Sequence, residues 1–273
     1  MVFLYIALGL IILVCTWLFL IAPGDESGME KYKNLKYAHR GLHGNIDGSF
    51  AQENSLTAFS KAKDRGFAIE LDVRATKDGE AVVFHDRTLD RVTNGTGKIS
   101  DLTLEELKAL KLKDTEESVP TLKEVLDLID GNVALLIELK EEGADHTISQ
   151  RCVELLSDYK GDFIIESFSP LAFGAFRKKM PKACRGFLSD KLTKSEKCRS
   201  MKFRITQRFL LNFMVRPAFI SANHKTPKLF PIPLIRFIFK TPMIAWTVRS
   251  REEETEAYKN GFSGVIFEGY IPD

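Results

Sequence analysis

"IELDVRATKDGEAVVFHD", Ile69 to Asp86, decides how this chain folds. Its first half is patterned as a strand, and Asp78-Gly79 is a strong hairpin signal, so "EAVVFH" is expected to return antiparallel to "FAIELDV". A two-residue turn would pair Lys77 with Glu80, Val73 with Phe84 and Asp72 with His85, leaving Glu70 on the face of Asp72. Ile69, Leu71, Val73, Val82 and Phe84 would share the opposite, buried face. A stretch built for the interior therefore carries two carboxylates and an imidazole on one side.

Around it, short β-rich runs alternate with helical ones, the pattern of a parallel sheet with helical crossovers. The strand candidates are "LKYAHR" from Leu35, "FAIELDV" from Phe67, "VALLIEL" from Val133 and "DFIIES" from Asp162, then "ACRGFL" from Ala183, "AFISA" from Ala218, "MIAWTV" from Met243 and "GVIFE" from Gly264. Helices are expected after Asn54 or Ser55, Thr103 and Thr121 as N-caps, then over 145–159, 170–179, 192–214, 228–240 and 252–260. Eight strands with crossovers predict an α/β fold, a (β/α)8 TIM-type barrel with the hairpin inserted after its second strand. An open doubly wound sheet is the alternative, but no Gly-rich dinucleotide loop follows the first strand.

Val2 to Ala22 carries no charged side chain. At about 1.5 Å per residue such a helix spans about 30 Å, a bilayer's hydrocarbon thickness, and no basic residue or small-residue cleavage site marks it as a secretory signal. The expected organisation is an anchor and short linker over 1–33 and one catalytic-size domain over 34–273. The protein would be a single-pass membrane protein, with Lys31, Lys33 and Lys36 leaning the domain toward the cytoplasm. Cys15, Cys152, Cys184 and Cys198 lie too far apart for a paired zinc spacing or dense disulfide framework. The net charge of +2 hides a basic region, 191–240, with twelve Lys or Arg against one acid, Glu196. Its basic residues interleave with bulky apolar ones, which suits either outer helices with solvated edges or a bilayer surface. Nucleic acid is a poorer partner, since no recognition motif is present.

In a barrel, chemistry belongs at the C-terminal ends of strands. Those ends carry His39 and Arg40 in "AHRG", Glu70 and Asp72, Glu138 and Lys140 in "IELK", and Glu166 in "ESF". Carboxylate oxygens suit a hard divalent cation such as Mg²⁺ or Ca²⁺, and Arg40 and Lys140 suit a phosphate. Two histidines, His39 and His85, could divide acid and base duties, and together these parts describe metal-assisted cleavage of a phosphate ester. A lone Glu-x-Asp is as readily a solvated strand edge, and His43, His146 and His224 read as surface or loop residues. The convergence of four distant segments on one barrel end is what argues for a site.

The chain also resembles the glycerophosphodiester phosphodiesterase family from Tyr37 onward. The resemblance is carried by "AHRG" with "QENS" following, "IELDVRATKDGEAVVFHDRTLDRVTNGTG", "IELK", "ESF" and "AWTV". It implies a distorted (β/α)8 barrel that uses a divalent metal, Ca²⁺ or Mg²⁺, to hydrolyse glycerophosphodiesters to sn-glycerol 3-phosphate and an alcohol. By position it implies His39 and His85 as the acid/base pair and Glu70, Asp72 and Glu138 as metal ligands. It further implies Arg40 and Lys140 at the phosphate, Trp246 against the glycerol or alcohol moiety, and Glu53 as a supporting acid, with Gln52 where the family has proline. Glu268, in the last strand's "GVIFEG", stands where many relatives have an Asp-containing pattern. The alternatives are hydrolysis of membrane lysophospholipids in the manner of a lysophospholipase D, or a membrane-tethered head-group binding protein without turnover.

Overall fold

The computed structural model describes residues 1–46, 48–141, 146–190, 205 and 208–273. Eight parallel strands close into a barrel: β1 (Lys36–His39), β2 (Ala68–Ala75), β4 (Leu135–Leu139), β5 (Phe163–Ser167), β6 (Arg185–Ser189), β7 (Phe219–Asn223), β8 (Met243–Val248) and β9 (Gly264–Phe267). Closure rests on β1, which pairs with β2 on one side and β9 on the other. Each of the eight coincides with an expected strand.

After the N-terminal α1 (Val2–Ile21), several crossover helices start where the sequence supplies a cap. Ser55 caps α2 (Leu56–Asp64) by accepting from Ala58 N at 3.1 Å, and Thr103 and Thr121 form capping boxes at α3 (Leu104–Lys108) and α4 (Leu122–Ile129). Asn54, the other expected cap of α2, has a positive φ and turns its side chain to Asp72 instead. The next helices are α5 (Thr147–Asp158) and α6 (Gly174–Lys179), the latter preceded by a 3-10 turn at Pro170–Phe173. Of the helix expected over 192–214, the part over 192–204 and 206–207, with Cys198 and much of the basic region, lies outside the described residues; residues 208–211 form turns, not helix, and α7 (Asn212–Val215) is a separate short helix. The chain continues through α8 (Ile232–Phe239) and α9 (Arg251–Lys259).

Two cores follow from strand alternation. Residues facing outward from the barrel, such as Ile69, Leu71, Leu135, Ile137 and Ile165, pack under the helices. Those facing inward low in the barrel, Tyr37, Leu136, Ile164, Phe219, Ile244 and Ile266, form a plug closed from below by Met29 and Tyr32. The same inward rows continue upward into polar residues: His39 lies level with Glu70, and Asp72, Glu138 and Glu166 are successive register partners. The plug thus floors a polar chamber at the mouth.

The hairpin is antiparallel, but its register corrects the expected one. β3 (Ala81–Val83) pairs Val73 with Val83, Arg74 with Val82 and Ala75 with Ala81. The loop holds three residues, Lys77, Asp78 and Gly79, because Thr76 N–H donates to Glu80 O at 3.0 Å and Gly79 N–H to Thr76 O at 3.0 Å, with Gly79 at φ 85°. Asp78 favours this wider turn: it accepts from Thr76 Oγ1 at 2.6 Å and from Leu104 N–H at 3.1 Å. A one-residue slip exchanges faces. Val83 and Ala81 therefore join Val73 under the helices, while Val82 and Phe84 face the other way into a satellite core with Leu89, Val92, Ile99, Leu107, Leu112 and Val119. His85 lies beyond the end of the ladder and is not the cross-strand partner of Asp72; Phe84 N–H donates to Asp72 O at 2.9 Å.

Candidate active site

The chamber is built around four buried carboxylates. Oxygens of Glu70, Glu138 and Glu166 lie within 4.8 Å of one another. Burial raises the pKa of each, helped by the neighbouring carboxylates, and Glu166 is pushed up to about 8. Ser221 Oγ donates to Glu166 from β7. Asp72 behaves differently. Burial opposes its ionisation too, but Lys140 and Arg40 hold its carboxyl below the usual range. Lys140 Nζ lies 2.9 Å from Asp72 Oδ1 and 2.8 Å from Glu138 Oε2, and Arg40 Nε lies 3.4 Å from Asp72 Oδ2. Asn54 Nδ2 donates to that same oxygen at 2.9 Å.

Arg40 is placed by its backbone. It adopts φ 56°, unusual for a side-chain-bearing residue, which lets its N–H donate to Glu70 Oε2 at 2.9 Å while its guanidinium reaches Glu53 Oε1 at 2.8 Å. Glu53 also receives a bidentate pair from Arg91, at 2.7 Å to each oxygen.

The two histidines share an arrangement. His39 Nδ1 meets Glu268 Oε2 at 2.7 Å, and Glu268 is in turn held by Arg249 Nη2 at 3.2 Å. His85 Nδ1 meets Asp86 Oδ1 at 2.7 Å, and Asp86 accepts from Arg91 Nε at 2.6 Å. Each imidazole is therefore gripped at Nδ1 by a carboxylate backed by an arginine, leaving Nε2 for chemistry. His39 Nε2 lies 4.0 Å from Glu70 Oε2, at the edge of the acidic cluster. Burial lowers the pKa of both histidines despite these partners. The hydrogen bond to His39 helps hold Glu268 down to about 2. His85 and Asp72 still interact electrostatically although the hairpin does not pair them.

Trp246 packs edge-on against Phe168, ring centres 6.0 Å apart at 89°. This aromatic wall closes the β5–β8 side of the mouth, opposite the charged groups of β1, β2 and β4. The contacts above join Arg40, Glu53, Glu70, Asp72, Glu138 and Lys140 and set His39 at the edge of the acidic cluster. Sequence reasoning missed the grips on the histidines, Glu268 with Arg249 and Asp86 with Arg91, and the Asn54 contact. It also read two histidines as surface groups: His224 is buried, and His43 is half-buried within 4.8 Å of His39 and Glu268. An Asp directly after His85 and a Glu closing the last strand were the available signals.

The glycerophosphoryl diester phosphodiesterase family profile matches residues 39–269 of this sequence. The chain belongs to that family. A glycerophosphodiester phosphodiesterase from Caldanaerobacter subterraneus subsp. tengcongensis is 32% identical over 246 residues, 86% of this chain and 93% of the relative. Human glycerophosphodiester phosphodiesterase 1 is 33% identical over 146 residues, 49% of this chain and 42% of the human protein. Among solved structures, a Thermotoga maritima glycerophosphodiester phosphodiesterase superposes with a TM-score of 0.63 at 26% identity, covering 86% of this chain and 94% of that one. An Oleispira antarctica phosphodiesterase, solved with the product sn-glycerol-3-phosphate, gives a TM-score of 0.70 at 24% identity over 87% of this chain and 94% of that one, and shares the fold. This chain is a phosphoric diester hydrolase acting on glycerophosphodiesters, and its carboxylate cluster is of the kind that could hold a metal ion.

Proposed function

We propose that this phosphodiesterase hydrolyses its substrate to sn-glycerol 3-phosphate and an alcohol by acid/base catalysis between His39 and His85. The observation that carries the reading is the pair of oriented imidazoles, each held at Nδ1 by a carboxylate and free at Nε2, beside a cluster of buried carboxylates and two cations. One imidazole takes the proton of the attacking hydroxyl and the other returns a proton to the departing alkoxide. Arg40 and Lys140 bind the phosphate and oppose the charge that builds on its oxygens. Glu53, clamped by Arg91, fixes the Arg40 fork, and Trp246 with Phe168 packs against the glycerol.

The donor set fits a divalent cation. Crowded buried carboxylates whose ionisation burial disfavours are short of positive charge, and all-oxygen donors suit Ca²⁺ or Mg²⁺. Glu70, Asp72 and Glu138 would hold it, with Glu166 alongside; once bound it would polarise the phosphate oxygens.

We further propose that Val2–Ile21 is a retained single-pass anchor. It has the length and apolarity to span a bilayer, and its last turn is built into the domain: Ile21 is wholly buried and its carbonyl accepts from Asn212 Nδ2 at 2.9 Å.

The test is hydrolysis of glycerophosphocholine by the full chain in detergent with Ca²⁺, with Mg²⁺ and after EDTA, followed by ³¹P NMR, alongside His39→Ala and His85→Ala. Loss of turnover by about 10²-fold or more is expected for each alanine variant. Full activity in either would remove that histidine from its role, and a metal-free protein that still turns over would remove the cation.

A further inference from the structure

Beside the all-oxygen cluster stands a second group of metal-binding side chains, of different chemistry. Donor atoms of His39, His43 and Glu268 lie within 4.8 Å of one another. A hydrogen bond of 2.7 Å already joins His39 Nδ1 to Glu268 Oε2. His43 is left over: its Nε2 is shut off from water, and no described residue makes a hydrogen bond with it. Buried polar nitrogens are ordinarily paired, so an orphan beside two other ligand-type groups points to something the three would hold together.

The backbone around His43 is pinned on both sides, as a ligand-bearing segment must be. Gly41, at φ 79°, passes so close to α2 that a Cβ there would stand 2.8 Å from the Ala58 carbonyl carbon. Leu42 is buried and its N–H donates to Ala58 O at 2.9 Å, while Gly44 N–H donates to Ala51 O at 2.8 Å across a short antiparallel bridge.

Two imidazole nitrogens and one carboxylate oxygen are a ligand set that zinc takes in open sites, with a fourth position left for water. Ca²⁺ and Mg²⁺ prefer oxygen alone, the set that Glu70, Asp72 and Glu138 offer next door. The two groups meet at His39, whose Nε2 lies 4.0 Å from Glu70 Oε2. Adjacent clusters thus differ in the metal their donors select. The Arg249 guanidinium, 3.2 Å from Glu268 Oε2, opposes a cation there, but its side chain is 57% exposed and solvent screens it.

Resting on the acid/base reading above, we propose that His39, His43 and Glu268 form a second, inhibitory site for a zinc-type transition-metal ion. The ion enters between His39 Nδ1 and Glu268 Oε2 and recruits His43 as its third protein ligand. The proton it displaces from Nδ1 is carried by Nε2 instead, so the lone pair that would accept a proton from the nucleophile is occupied. In the acid role the loss is the same, because Nε2–H of a neutral, metal-bound ring gives up its proton far less readily than an imidazolium. Arg40, Lys140 and the carboxylate cluster are untouched, so occupancy of this site stops turnover without emptying the neighbouring one.

The test titrates Zn²⁺ into the full chain in detergent, turning over glycerophosphocholine with Ca²⁺ or Mg²⁺ in excess. Inhibition is expected that a further excess of Ca²⁺ or Mg²⁺ does not relieve. His43→Gln should keep the uninhibited rate within about twofold and need at least about tenfold more Zn²⁺, since loss of a ligand costs no less than loss of a supporting partner. His43→Cys, which returns a zinc ligand, should restore the sensitivity. Independently of activity, Co²⁺ added to the metal-free chain should give the visible absorption of a four-coordinate site, kept in Glu138→Gln and lost in His43→Gln. Absence of inhibition, inhibition relieved by Ca²⁺ or Mg²⁺, or a His43→Gln chain as sensitive as the wild type would overturn the proposal. Cobalt absorption that depends on His43 in a chain that turns over no glycerophosphodiester would instead uphold the metal site and overturn the acid/base reading.

Discussion

Glu268→Gln tests whether the grip on His39 tunes the chemistry or merely fills space. Glu268 is held at about 2 against an ordinary 4.5, first by its hydrogen bond to His39 and then by the charges of His39, Arg249 and His43. At about 1.4 kcal/mol per pH unit the net shift is worth about 3.5 kcal/mol, left after burial has opposed it. A quarter of the side chain is exposed and several cations share the effect, so on the order of 1 kcal/mol remains for His39 after screening. By reciprocity the carboxylate favours the imidazolium by the same amount. Its loss should therefore lower the His39 pKa further, moving the limb of the pH–kcat/KM profile that His39 carries to lower pH by about one unit. The plateau should also fall by about tenfold or more, because glutamine does not reproduce the charge-assisted bond that orients the ring. Asp86→Asn should displace the other limb in the same direction through His85. Profiles of the wild type and both variants on glycerophosphocholine would thus assign each histidine to its limb. A Glu268→Gln enzyme with both limbs in place and a normal plateau would refute the reasoning.

Other consequences follow from the same geometry. Arg91→Gln releases Glu53 and Asp86 together, and should reduce kcat/KM by about 10² while costing only about 1 kcal/mol of stability, since Arg91 is half exposed. Phe84→Ala, deep in the satellite core, should cost about 3–5 kcal/mol in urea unfolding, because the observed register buries that ring completely. Gly24→Ala should loosen the anchor, since its Cβ would stand 2.3 Å from Arg216 O, and faster proteolysis around residue 24 would report it. If the carboxylate cluster binds Ca²⁺ or Mg²⁺, adding 100 times Kd of the ion should raise stability by about 2.7 kcal/mol, read as a rise in Tm that Glu138→Gln abolishes.

The barrel was legible because its determinants are local and repeated. Eight runs of the right length, helices between them, several of them capped, and an Asp-Gly turn after the second strand each specify their own element, and closure needs no further signal. Chemistry was legible where it sits at strand ends: His39, Arg40, Glu70, Asp72, Glu138 and Lys140 are all within one residue of a described strand or inside it. The mounting of the N-terminal helix on the domain was not. The charge count treats Lys31, Lys33 and Lys36 as free cations, whereas they pair with Asp162, Glu30 and Glu254. Two of those partners lie more than 100 residues away in sequence.

The hairpin shows why a correct motif yielded a wrong register. Asp-Gly is compatible with both a two-residue and a three-residue loop, and the choice was made by Thr76, whose hydroxyl reaches Asp78 and whose N–H reaches Glu80 O. The pattern "AVVF" could not arbitrate, because every one of its residues is buried on whichever face it points: one face lies under the helices, the other under a satellite core made from residues 84–119. Alternation reports register only when one face is wet. That same satellite segment carries Asp86 and Arg91, so the loop that hid the register also supplies the grip on His85. The carboxylates that orient the histidines come from opposite ends of the domain, Asp86 after β3 and Glu268 after β9. Only barrel closure, which sets β1 beside β9, brings His39 and Glu268 within 2.7 Å across 229 residues of chain. The two histidines can therefore be read residue by residue, while the positioning of His39 is a property of the closed fold.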